Sequence, residues 1–409
     1  MFRGVVRRSS VKDALAGYLP LMGQSLLAFT FNIGGILSGL IFAVFFSKLQ
    51  DPIILMLLPA ILTLRGNING ILSSKLGTLL HIGRIMPSLR GNTRDFEELL
   101  RSTFTLTFQS TLLIGLLAFA ANLLLGRIDQ SYLPLFILVP TLTGGMSVAT
   151  SEVITSALAM FTFRRGLDPD ILTYPMMSTV NDVMVTIIYF GISWLMLTWI
   201  HAVLLGLVLF LAIASAAIIF TVSSREGAMF KRTVKEATPA VLASLSLGVL
   251  SGVILAGFKS EIGENPAVLT VYPALMDSLG DIGAITGATT TTKLFLGDIE
   301  AKASTIKEAL KGLIPVECMA FLLHIAYGAI AFTLSREAGL TMPFSRLLGI
   351  ALASNLVTFP AIFMIAYFTA IMTFKKGLDP DNFVIPLETS IADSLTTLSV
   401  SILMRLLVG

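Results

Sequence analysis

The chain has 409 residues, 55% of them hydrophobic and 13% charged, with a mean hydropathy of +0.86. Soluble domains carry about 25% charged residues, so this composition excludes a soluble core and predicts an all-α polytopic membrane protein. The single cysteine, Cys318, excludes an internal disulfide, and His81, His201 and His324 lie too far apart in sequence to predict a zinc site.

In chain order, the basic start (Arg3, Arg7, Arg8) leads into an apolar stretch, 17–47, much longer than the apolar core of a signal peptide. No cleavable signal is expected. A spanning helix needs about 20 apolar residues, and ten more such segments follow: 53–83, 103–125, 132–163, 172–197, 201–222, 238–258, 266–297, 313–334, 346–374 and 383–407. The longest are read as tilted, kinked or partly outside the hydrocarbon. The N-terminus and the even-numbered connections hold nineteen of the 28 Lys and Arg residues. By the positive-inside rule, the N-terminus is predicted inside and the C-terminus outside.

The sequence is internally duplicated. Gly166-Leu167-Asp168-Pro169-Asp170 recurs at Gly377–Asp381, each copy after a basic pair. Val11-Lys12-Asp13-Ala14 matches Val234-Lys235-Glu236-Ala237. Gly35-Ile36-Leu37-Ser38-Gly39 matches Gly248-Val249-Leu250-Ser251-Gly252. The stretch from Pro59-Ala60 to Gly66-Asn67 matches that from Pro273-Ala274 to Gly280-Asp281. The organisation predicted is two parallel five-helix repeats, 1–200 and 223–409, joined by one linking helix, 201–222. Five crossings leave the chain on the wrong side to begin a second copy in the same orientation, and the extra helix returns it.

The residues with chemistry follow the duplication. Asp182 lies about 18 Å along a helix from Asp170, and Asp393 has the same place in the second half. A carboxylate at that depth costs about 2.5–3.5 kcal/mol, unless it is protonated or paired with a base. Hydroxyls stand three and four residues earlier (Ser178, Thr179; Thr389, Ser390) on the same helical face. In the second helix of the second half, Asp277 and Asp281 are four residues apart; Thr63 and Asn67 stand at those positions in the first half, with Asn69 nearby. Gly66, Gly70, Gly280 and Gly283 permit close helix approach or a broken helix. Glu152, matched by Phe363, is either an accessory ligand or a partner for a base. Glu388 is matched by Met177. Asp168 and Asp379, each before a proline, read as helix N-caps, and Glu317 as a carboxylate near a helix start after Pro315. Arg65 is read as a partner for Asp277 or Asp281.

Hard oxygen donors without a cysteine or histidine cluster favour Mg²⁺, Ca²⁺ or Mn²⁺, and carboxylates with small polar neighbours suit a hydrated Mg²⁺. Asp182, Asp393, Asp281, Asn67, Asp277, Thr179 and Ser390 are the expected ion-contacting set. Two other functions fit parts of the pattern. One is a proton- or sodium-coupled carrier of a small solute. The other is an intramembrane aspartyl protease, because Leu279-Gly280-Asp281 resembles a Gly-x-Gly-Asp motif, although Ser278 stands at the first glycine.

Pro59-Ala60 … Leu64-Arg65-Gly66-Asn67 … Ser74-Lys75-Leu76-Gly77-Thr78 and Gly166-Leu167-Asp168-Pro169 … Ser178-Thr179-Val180-Asn181-Asp182 resemble the signatures of MgtE magnesium transporters and their eukaryotic relatives, solute carrier family 41. The second half repeats both. The resemblance implies a Mg²⁺ channel or transporter in the cell membrane, with an ion path between the repeats lined by the second and fifth helices of each. It places the family's fifth-helix aspartate on Asp182 and Asp393 and its Gly-Asn on Gly66-Asn67, with Asp281 replacing the Asn in the second copy. It also implies Na⁺ or H⁺ as the coupling ion if the protein is an exchanger, no enzymatic activity, and a monomer that suffices as one fused two-fold unit. With about 16 residues before the first span, no regulatory domain of the bacterial kind is expected ahead of it. No nucleic-acid partner is expected; lipid and divalent cations are.

Overall fold

The computed structural model describes residues 22–23, 26, 29–81, 83–165, 169–225, 227–297, 299–377 and 381–408. The repeated Gly-Leu-Asp-Pro-Asp motifs lie largely outside these residues, as do Val11–Ala14 and the N-cap readings of Asp168 and Asp379.

Every regular element among the described residues is helical. In chain order they are α1 (Ile33–Leu49), α2 (Pro52–His81), α3 (Arg94–Leu124), α4 (Leu133–Arg164), α5 (Pro169–Thr198), α6 (Ile200–Ser223), α7 (Ala228–Gly257), the short α8 (Lys259–Glu264), α9 (Val268–Leu296), α10 (Ile306–Glu337), α11 (Phe344–Lys375) and α12 (Asp381–Val408). Among the described residues, ten helices are long and apolar enough to cross a membrane. The count is eleven when α7, bent by 42° between Ala228–Pro239 and Val241–Gly257, is taken as one span. The bend has a local cause, since Pro239 removes a helix hydrogen bond and crowds the preceding turn. One expectation is corrected: α10 begins at Ile306, not after Pro315, so Glu317 lies well inside the helix and faces Asn355. Pro315 is tolerated in the interior of the helix.

The bundle is layered by burial. The central helices α2 and α9 carry the long runs of enclosed side chains, Ile53–Leu58 and Val271–Leu275 among them. At the periphery, α6 packs on α3 and α4 and turns Leu204, Leu205, Val208 and Leu211 outward. A helix so apolar on its outer face suits hydrocarbon as its solvent.

The first helix of each sequence half packs on the other half. α1 lies against α9 and α10, and α7 against α2 and α3. The repeated Gly-x-x-x-Gly pairs make these contacts. A side chain at Gly39 would collide with the Thr270 carbonyl oxygen, and one at Gly35 would reach the Ala274 Cα at 3.0 Å. At the matched positions, a side chain at Gly252 would collide with the Met56 carbonyl oxygen, and one at Gly248 would reach the Ala60 Cα at 2.9 Å. Both grips fall beside an interior proline, Pro273 in α9 and Pro59 in α2. Proline leaves the carbonyl four residues earlier without its helix donor, and in α9 that group, on Leu269, lies directly against Gly39.

Candidate functional site

The crossing of α2, α5, α9 and α12 gathers the polar residues of the interior. Asp182, 2% exposed, projects from α5 and forms an ion pair with Arg65 of α2, with Nη2 2.6 Å from its carboxylate. Arg65 Nη1 also donates to the Ser178 carbonyl at 2.8 Å and to its hydroxyl at 3.2 Å. Asp182 and Asp277 of α9 stand within hydrogen-bonding reach of each other, and Asp393 of α12 lies close enough to interact electrostatically with both. Thr63 of α2 donates to Asp393 at 3.1 Å, crossing from one sequence half to the other. Thr63 and Asp277 occupy matched positions, so Thr63–Asp393 and Asp277–Asp182 are the same contact made twice.

Asp281 and Glu388 extend the cluster. Asp281 accepts a hydrogen bond from Asn32 at 2.9 Å. Glu388, 1% exposed, lies against Gly283, where any side chain would displace it, and interacts with Asp393 and Asp281. Its carboxylate oxygens have no hydrogen-bond partner among the described residues. Asn67 donates to Ser244 of α7 at 2.7 Å, and Ser244 is hydrogen-bonded in turn to Ser390. Thr179 donates to the Phe31 carbonyl at 3.1 Å, at the entry to α1.

Of the expected set, the structure brings Asp182, Asp277 and Asp393 together, with Asp281 adjoining. Asn67 and Ser390 are joined through Ser244, while the Thr179 hydroxyl serves the packing of α5 on α1. Arg65 takes Asp182 as its partner, where the sequence reading had named Asp277 or Asp281. Sequence reasoning passed over Asn32 and Ser244 as site neighbours and left Glu388 without a role. A carboxylate inside an apolar stretch with no matched acid was the available signal for Glu388. Among the described residues, no group of three or more His, Cys, Asp or Glu side chains is arranged to hold a metal ion as it stands; Asp182 is engaged by Arg65, Asp393 by Thr63 and Asp281 by Asn32.

The Thr63–Asp393 bond can be tested alone. Thr63→Val keeps the shape and removes the donor, leaving a half-buried carboxylate without that partner. The expected loss is about 1–3 kcal/mol of stability, read as a lowered melting temperature in detergent.

This fold and interior define a polytopic helical membrane protein with carboxylates from both sequence halves buried at one place. The family model described as MgtE, divalent cation transporter, matches residues 58–192 and again 272–403. The chain belongs to that family, whose members are membrane transporters and not enzymes, and the protease alternative falls with that assignment. Solute carrier family 41 member 2 of Gallus gallus is 22% identical over 367 residues, covering 84% of this chain. The chain spans 62% of the length of that relative. No solved structure matches.

Proposed function

We propose that the chain carries Mg²⁺ across the cell membrane, as a channel or transporter, through a path between two parallel repeats lined by α2, α5, α9 and α12. The observation that carries this reading is the meeting of Asp182 from the first half with Asp277 and Asp393 from the second. Charges at membrane depth are costly to keep. Carboxylates in excess of the nearby guanidinium attract a cation of two charges better than one of a single charge. All-oxygen donors favour Mg²⁺, Ca²⁺ and Mn²⁺ over softer metals. Mg²⁺ sheds its water reluctantly, and carboxylates with small polar neighbours suit an ion held through its water shell. Asp182, Asp393 and Asp281 contact the ion directly or through water, with Asp277 and Asn67 beside them and Thr179 and Ser390 bracing α5 and α12.

The exchanged packing of α1 and α7 supports taking 1–200 and 223–409 as repeats about one axis, with α6 as the connecting span. The bias of basic residues supports an N-terminus inside and, after eleven spans, a C-terminus outside, and a fused pair of repeats lets a monomer form the whole path. The test is flux into proteoliposomes, with Mg²⁺ compared against Ca²⁺ and Mn²⁺, with and without a Na⁺ or H⁺ gradient. Mg²⁺ entry is expected. Dependence on a gradient identifies a coupled carrier, and ohmic current a channel. Absence of any divalent flux while a small organic solute crosses overturns the reading.

A further inference from the structure

We infer that Arg65 is an exchangeable internal cation: its guanidinium holds the divalent-ion position beside Asp182 in this state, and moves through an adjoining cavity to Glu152 when an ion enters. This rests on the reading that divalent ions enter at Asp182.

Arg65 engages the Asp182 carboxylate, the Ser178 carbonyl and the Ser178 hydroxyl together. These are three hard oxygens of the kind a divalent ion would need. A guanidinium and a divalent cation repel each other and compete for the same lone pairs, so entry of the ion requires Arg65 to leave. A charged guanidinium cannot be left unpaired in the interior. It needs a second carboxylate within reach.

One that no described base engages, Glu152, borders the same cavity as Arg65. Arg65 also lines a narrow cavity of about 30 Å³ between α2, α3, α4 and α5, and Glu152 of α4 lies on its wall. Glu152 is 8% exposed, and its described hydrogen bond is the one it accepts from Thr103 at 2.5 Å. Three hydroxyls of the same wall have already donated their protons to helix carbonyls: Thr107 to Thr103, Thr111 to Phe108 and Ser147 to Gly144. With those protons committed, the wall hydroxyls have only acceptor lone pairs left to offer, which suits a group that carries five donors and no acceptor. The duplication adds an independent observation. Leu279 stands at the position matching Arg65 and Phe363 at that matching Glu152, so the base and its second carboxylate are present together in the first half and absent together from the second.

Mg²⁺ binding to the full chain in nanodiscs, measured by calorimetry, tests the exchange. Arg65→Gln removes the competitor and is expected to tighten the Mg²⁺ Kd by about tenfold. Glu152→Gln keeps the Thr103 bond but removes the second home, and is expected to weaken it by about tenfold. In the R65Q background, E152Q is expected to add nothing. Equal weakening by E152Q in both backgrounds would show a plain field effect and overturn the inference, as would a silent E152Q or a weakened R65Q. If R65Q does not fold, Arg65→Lys carries the test, since a point charge holds Asp182 less well than the planar fork and shifts the Kd the same way. Loss of Mg²⁺ binding in the Asp182→Asn/Asp393→Asn variant alongside a silent E152Q sinks the exchange alone. Retained binding in that double variant sinks the functional reading as well.

Discussion

Proteoliposomes carrying Asp182→Asn together with Asp393→Asn are expected to show Mg²⁺ flux indistinguishable from protein-free vesicles. The substitution keeps size and hydrogen-bonding shape and removes one negative charge from each sequence half. Thr63 still finds an oxygen acceptor at position 393, so Asp393→Asn alone should fold with near-unchanged stability and lose flux. Asp182→Asn differs, because it strips Arg65 of its carboxylate. Breaking a buried pair from one side costs about 3–5 kcal/mol, and the melting temperature of the double variant should fall accordingly. The remaining bonds of Arg65 to Ser178 soften that loss. Flux therefore has to be compared at a temperature where both proteins are folded. Undiminished transport by a folded double variant would refute the assignment of these two residues.

The second large effect is steric. Gly39→Leu and Gly252→Leu each drive a side chain into a backbone carbonyl of the opposing helix, Thr270 in one case and Met56 in the other. A backbone has no rotamer with which to yield, so the helix pair must separate. Overpacking of a side chain alone costs about 1–3 kcal/mol, and these contacts lie beyond that range. Loss of folded protein on size-exclusion chromatography is expected for both, to a matching degree, because the same grip is made twice. Gly191→Ala is the control: nothing lies within 4 Å of the added carbon, so that variant should elute as the wild type. A folded Gly252→Leu would show that α7 does not need its close approach to α2.

The duplicated Gly-x-x-x-Gly pairs show how far the sequence could be read. Their spacing marked Gly35, Gly39, Gly248 and Gly252 as a repeated feature, and the structure gives all four the same use. What the pattern could not supply was the exchange of α1 and α7 between halves, because a small-residue stripe specifies a close contact without specifying with which helix. Likewise, that Asp182 and Asp393 belong to the interior of their helices was legible from their distance to the polar motif. The choice of Asp182 by Arg65 was not. It depends on the rotation of α2 and α5 about their axes, which residue spacing within either helix leaves open. The partner of Thr179 was open for a related reason, since residues three and four before Asp182 diverge by enough of a turn that Ser178 meets Arg65 while Thr179 meets the α1 entry. Glu388 escaped because the comparison of halves rewards matched acids, and its counterpart is Met177.

The crossed first helices bear on biosynthesis. α1 leaves the ribosome early, yet the helix against which its glycines close, α9, emerges only after most of the chain has been inserted. Until then α1 stands in lipid with its small-residue groove unfilled, and the stretch of α2 that α7 will cover waits as well. Neither half can complete its packing before the other arrives, because each supplies the helix that closes on the other's glycines.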